Sequence, residues 1–220
     1  MIITETWMKP RNTDKIKEDM QQNKGLDLLF YNRPGKKNGG GVAIVFRPSK
    51  ARITNYSFKR EGFEMVAGRI KTKKNSRPVF VFAVYLPPNM TVGRSARAME
   101  LITEEMDKLK VDNADPIIYL GGDINNFPTD QITVAFPDIN ILQSPPTRGN
   151  ARLDLCLSNV DQGRTKSFLL PPLESATTKS DHSALLFKVE NQDRHVFKLV
   201  KYSTRIFKPK KEQEFVQAVN

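Results

Sequence analysis

Residues 78–86 offer apolar side chains to both faces of a β-strand: Val79, Val81, Ala83 and Tyr85 alternate with Phe80, Phe82, Val84 and Leu86. Successive strand residues point to opposite sides, so this run must be covered above and below. A chain carrying it needs at least two further apolar layers. The clearest helix spans 94–110, where Met99, Ile102, Met106 and Leu109 recur at helical spacing while Glu100, Glu104, Asp107 and Lys108 lie off that stripe. Residues 116–120 form a short buried strand running straight into Gly121-Gly122-Asp123. Further strands are expected at 1–4, 26–31, 42–46, 52–57, 63–70, 153–157 and 184–189, with helical character at 13–22. Strands dominate and few helices separate them. That pattern predicts an α+β layered sandwich and argues against a regular doubly wound sheet.

The 220 residues suit one domain, and 39% hydrophobic content with 13 Phe excludes a wholly disordered chain. The single cysteine, Cys156, permits no internal disulfide and no cysteine-based zinc site, which favours an intracellular setting. No apolar run reaches the ~18 residues that a membrane span requires. The formal charge of +11 is concentrated: residues 33–80 hold 13 Lys/Arg against two Glu. Such a surplus points to a polyanionic partner. Lys36, Lys37, Lys73 and Lys74 sit in polar stretches that read as exposed loops and are the candidate nucleic-acid contacts.

Acidic and amide residues repeatedly follow or flank buried strands. Glu5 follows Ile2-Ile3-Thr4, Asp123 and Asn125 follow 117–120, Asp154 lies in Arg152-Leu153-Asp154, and Asp181-His182 precede 183–187. Tyr85 closes the doubly apolar strand. Singly, each is an ordinary strand end or turn. Together they cap strands where sheet ends converge, and carboxylates near a core need a metal, a partner or a proton.

Five segments, in order, resemble motifs of the DNase I-like (endonuclease/exonuclease/phosphatase) superfamily: Thr4-Glu5-Thr6-Trp7, Val84-Tyr85-Leu86-Pro87-Pro88, Gly121-Gly122-Asp123-Ile124-Asn125, Arg152-Leu153-Asp154 and Ser180-Asp181-His182-Ser183. Their wording is closest to the endonuclease domains of LINE-type retrotransposons, which are similar to AP endonucleases. Ser144-Pro145-Pro146-Thr147-Arg148 and Leu155-Cys156-Leu157-Ser158-Asn159 share that character. The resemblance covers residues 1–190 and implies a four-layer α/β sandwich with its active site at one edge of two packed sheets. It implies Glu5 as a metal ligand with Asp181 as a second, and Mg²⁺ or Mn²⁺ as the ion, which oxygen ligands suit. Asp123 would position or deprotonate the attacking water, Asn125 would orient it, and Tyr85 would bond the phosphate from the rim. His182, held by Asp154, would face the phosphate, with Thr147 and Arg148 as nucleic-acid contacts. The implied outcome is a DNA nick with 3′-hydroxyl and 5′-phosphate ends, in a nuclear polyprotein that also carries a reverse transcriptase. A phosphoesterase acting on lipid or inositol phosphates, or a catalytically dead DNA-binding remnant, are the alternatives.

Family members begin with a strand carrying an Asn upstream of the glutamate motif. Here Glu5 lies almost at the start, so the resemblance implies an N-terminally truncated domain over 1–190. Residues 191–220 read as a basic linker, an arm or a terminal helix. The strand before Glu5 is then expected at an open sheet edge, with weak metal binding and poor nicking as the consequence.

Overall fold

The computed structural model describes residues 1–33, 39–56, 63–71, 77–125, 127, 129–172, 180–189 and 197–203. Two six-stranded sheets form its centre. In the first, the strands β1 (Ile2–Thr4), β2 (Asp27–Tyr31), β3 (Val42–Phe46), β10 (Thr165–Leu170), β11 (Ala184–Val189) and β12 (Phe197–Ser203) run in the order β10-β11-β12-β1-β3-β2. The second holds β4 (Arg52–Tyr56), β5 (Glu64–Lys71), β6 (Val79–Tyr85), β7 (Ile117–Asp123), β8 (Asn140–Ile141) and β9 (Asp154–Ser158) in the order β4-β5-β6-β7-β9-β8.

The two periodicities of β6 separate the layers. Val79, Val81, Ala83 and Tyr85 join Ile2, Val42, Ile44 and Leu185 in the core between the sheets. Phe80, Phe82 and Val84 face the other way, onto Ala98, Ile102, Met106 and Leu109 of helix α2 (Val92–Asp112) and Ile132 of α3 (Thr129–Ala135). On the far side of the first sheet, Ile3, Leu28, Ala43 and Val45 meet Met20 of α1 (Pro10–Lys24). Helix, sheet, sheet and helix stack as the four-layer sandwich of the DNase I-like fold.

Helix α2 begins where Thr91 accepts a hydrogen bond from the Arg94 N–H through its side chain, an N-cap that occupies one free donor of the first turn. Helix α1 ends at Gly25, whose φ of 60° places it in the left-handed region that glycine tolerates best.

Strand β7 runs further than the sequence suggests, through Gly121 and Gly122 to Asp123. A Cβ at Gly122 would collide with the Val84 carbonyl, so the paired glycines serve close approach within a strand rather than a turn.

The open edge expected at β1 is absent. Strand β12 pairs in parallel with β1, Ile2 facing Lys201 and Thr4 facing Ser203, and antiparallel with β11. β3 flanks β1 on the other side. Part of the stretch read as a linker, an arm or a helix thus supplies an interior strand, because β1 and β11 offer it unpaired backbone from both sides.

Cys156 lies in the inter-sheet core at 2% exposure, and burial pushes its thiol up to about 12. Because the thiolate is the reactive form, native protein at about pH 8 should resist thiol reagents and label only as fast as it unfolds. Rapid stoichiometric labelling without denaturant would show that the two sheets part locally.

Candidate active site

Strand register builds the site. Glu64 of β5 lies opposite Tyr85 of β6, Tyr85 opposite Asp123 of β7, and Asp123 opposite Asp154 of β9. Period-two alternation carries each to the inter-sheet face, because Val66, Ala83, Tyr119 and Cys156, further along the same faces, belong to the inter-sheet core. A row of four polar side chains therefore ends that core. All four are nearly buried, between 1% and 4% exposed.

At one end of the row, His182 lies just before β11 with Nδ1 2.9 Å from Asp154 Oδ2. That contact assigns the Nδ1 proton toward the carboxylate and turns Nε2 away from it. Asp123, Asp154 and His182 each offer a ligand-type atom, all within 4.8 Å of one another. Asn125, at a φ of 50°, donates its backbone N–H to Asp123 Oδ1 at 2.9 Å and its side-chain Nδ2–H to the Leu86 carbonyl at 2.7 Å. The turn after β7 is thereby tied to the end of β6.

At the other end, Glu5 leaves β1 with a φ of 52°, unusual for a side chain of this size, and such conformations cluster at functional sites. The Tyr85 hydroxyl donates to Glu5 Oε1 at 2.6 Å. Burial, the Glu5 hydrogen bond and the nearby Glu5 and Asp123 charges all push the Tyr85 phenol upward, so it stays a proton donor. Glu64 accepts from Arg33 Nε and from the Gly41 N–H, and the Arg33 guanidinium lies 5.7 Å from the Tyr85 ring centroid. Burial raises the Glu64 carboxyl, the Arg33 and Gly41 bonds lower it, and the Glu5 charge raises it further. Glu5, Glu64 and Tyr85 thus form one electrostatic unit.

Sequence reading did not single out Glu64 or Arg33, which entered only as members of the charged 33–80 segment. The available signal was a lone carboxylate between Phe63 and Met65 at the head of an apolar strand. Its partner, 31 residues away, carries no local signal.

Some expected positions differ. Tyr85 lies inside the row at 4% exposure, not on a rim. Among the described residues, Asp123, Asp154 and His182 lie close enough to share an ion, and Glu5 meets the row at the Tyr85 hydroxyl. The Asp181 side chain is 65% exposed, ion-paired to Arg148 at 2.8 Å and 4.0 Å from His182 Nε2. Thr147 is 2% exposed, which takes its side chain off the surface where nucleic acid would meet it. Its carbonyl instead accepts the Ser183 N–H at 2.7 Å, anchoring the turn that carries His182. Arg148 stays at the surface beside Asp181. Lys36, Lys37, Lys73 and Lys74 lie outside the described residues.

No curated protein matches the sequence. Solved structures do match in fold. An endonuclease/exonuclease/phosphatase family protein from Bacteroides thetaiotaomicron is 14% identical at a TM-score of 0.61, covering 89% of this chain and 96% of that one. Truncated Caenorhabditis elegans TDP2 is 14% identical at 0.58, covering 84% and 81%. The human Nocturnin catalytic domain is 12% identical at 0.55, covering 84% and 71%. The family model for Endonuclease/Exonuclease/phosphatase matches residues 1–182. The chain therefore belongs to the endonuclease/exonuclease/phosphatase family, whose members are divalent-metal-dependent phosphoesterases and nucleases.

Proposed function

We propose that the chain is an endonuclease that nicks DNA with Mg²⁺ or Mn²⁺, leaving 3′-hydroxyl and 5′-phosphate ends, of the kind carried by LINE-type retrotransposons. The observation that carries this reading is the cluster of Asp123, Asp154 and His182 at the end of a four-strand polar row. Two buried carboxylates and an imidazole drawn within 4.8 Å suit a divalent cation close by that offsets their charge. Glu5, with Asp181 as a second ligand, would hold it beside Asp123, while His182 stays on Asp154 through Nδ1 and off the ion. When bound, such an ion neutralises charge building on the phosphoryl oxygens and the departing 3′ oxygen.

The chain's own groups supply the rest. Asp123 takes the proton of the attacking water, and Asn125, fixed by Leu86, orients that water. His182, aligned by Asp154, presents Nε2 to the phosphate, as a donor once its ring is protonated. Tyr85, kept protonated, donates toward Glu5 or the phosphate. Arg148, at the mouth, meets the DNA backbone. The charge surplus over 33–80 would serve DNA or a small phosphate ester alike, and it is the LINE-like motif wording that favours DNA and a nuclear polyprotein with a reverse transcriptase.

Nicking of supercoiled plasmid, run beside phosphate release from an inositol phosphate, tests the reading. Metal-dependent nicking without inositol phosphate hydrolysis is expected, and the opposite result replaces DNA by a small phosphate ester. Asp154→Asn should lower the nicking rate about 10–100-fold, because the imidazole loses the carboxylate that sets its proton and orientation. An unchanged rate would remove Asp154 from the site.

A further inference from the structure

Glu64 takes no part in the chemistry above, yet it is only 4% exposed and both of its carboxylate oxygens are occupied. Oε1 accepts from Arg33 Nε, and Oε2 accepts from the Gly41 N–H. Each of those contacts leads on to Glu5. The Gly41 and Gly40 carbonyls accept the Thr6 and Trp7 N–H groups at 3.1 and 2.8 Å, fixing the backbone that leaves Glu5. The Arg33 guanidinium lies 5.7 Å from the Tyr85 ring centroid, and the Tyr85 hydroxyl donates to Glu5 Oε1. Glycine is required along this path. Gly40 and Gly41 stand at φ of 78° and 90°, and a Cβ on them would overlap the Arg33 guanidinium and the Thr6 hydroxyl respectively.

We propose that Glu64 is a positioning residue for Glu5, holding its backbone through Gly41 and its carboxylate through Arg33 and Tyr85. An ion pair that served only to offset buried charge would need Arg33 alone. The second oxygen instead ties down the glycine segment that grips Thr6 and Trp7. Glu5 needs such support, because it and Trp7 stand at φ of 52° and 53°, conformations that persist only where their surroundings enforce them. A metal ligand depends on the groups behind it, whose loss typically weakens binding about 10–100-fold.

The proposal rests on the reading of Glu5 as a metal ligand, and its test separates the two. Mn²⁺ affinity is measured calorimetrically for the wild type, Glu64→Gln, Glu5→Gln and the double variant. Glutamine replaces one acceptor oxygen by an N–H donor, so it must release either Arg33 or Gly41. Glu64→Gln should weaken Mn²⁺ binding about 10–100-fold, and excess Mn²⁺ should restore its nicking rate. In the Glu5→Gln background the same change should bring no further loss. Arg33→Lys keeps the charge but loses the planar fork, at a side chain that is 25% exposed. It should give a smaller loss at an unchanged Tm, and it decides the matter if Glu64→Gln does not fold. Wild-type affinity in Glu64→Gln (or, where that variant fails to fold, in Arg33→Lys) overturns the positioning role and leaves Glu5 a ligand. So do losses that add in the double variant. Unchanged affinity in Glu5→Gln takes Glu5 off the metal, and the proposal falls with that reading.

Discussion

Replacing Asp123 by alanine should reduce metal-dependent nicking by about 10²–10⁴-fold, the range that a positioned proton acceptor contributes. The carboxylate is 4% exposed, lies opposite Asp154 in the register and accepts the Asn125 N–H at 2.9 Å. Its loss removes one of the three close ligand groups and frees the turn that carries Asn125. The fold should survive, because deletion relieves repulsion between two buried carboxylates. Mn²⁺ affinity, measured calorimetrically, should fall together with the rate. A variant that nicks at the wild-type rate would dismiss the polar row as a structural strand end. One that binds metal normally but fails to nick would leave Asp123 the water-handling role alone.

Gly122→Ala is expected to act on the same site through the backbone. The new methyl group would meet the Val84 carbonyl, part of the β6 backbone that pairs with β7, and no side-chain rotation relieves that overlap. Strands β6 and β7 must separate locally, at the upper end of the usual overpacking cost, about 3 kcal/mol. For a domain of this size that lowers Tm by roughly 6–12 °C. Tyr85 and Asp123 sit one residue beyond the clash on the two strands, so activity should fall even where the variant stays folded. Differential scanning calorimetry and nicking assays measure the two effects. A Tm within a degree or so of the wild type would show that the strands accommodate a side chain there, contrary to their close pairing.

The parts legible in the sequence were those specified by local pattern. β6 and α2 announce themselves by periods of two and 3.6, and the structure returns both within two residues of the expected bounds. The convergence of Asp123, Asp154 and His182 was legible too, since each caps a strand: register sets Asp123 beside Asp154, and the packing of the two sheets brings up His182. Less legible was whatever depends on a distant partner. β10 (Thr165–Leu170) is an amphipathic edge strand that went unread, and α3 is only seven residues long. The Arg33–Glu64 pair is invisible until β5 and the loop before β3 are side by side. Gly121-Gly122 lay just beyond the expected strand at 116–120, and only the neighbouring carbonyl explains why the strand continues through glycine there. β12 has alternating residues, but Lys198 and Lys201 and the lysine-rich stretch after it disguise a strand whose neighbours begin at residues 2 and 184.

That last strand has a bearing on when the molecule can work. Among the described residues, β12 is the only hydrogen-bonded link between β10-β11 and β1-β3-β2. His182 hangs from the first group and Glu5 from the second. Synthesis delivers β12 after every other described strand, so the sheet that spans both groups stays in two pieces until β12 emerges. Pairings of such sequence separation form slowly. The nascent chain therefore carries Asp123, Asp154 and Tyr85 on an early, contiguous sheet, while the frame that fixes Glu5 relative to His182 closes only after Ser203 has emerged.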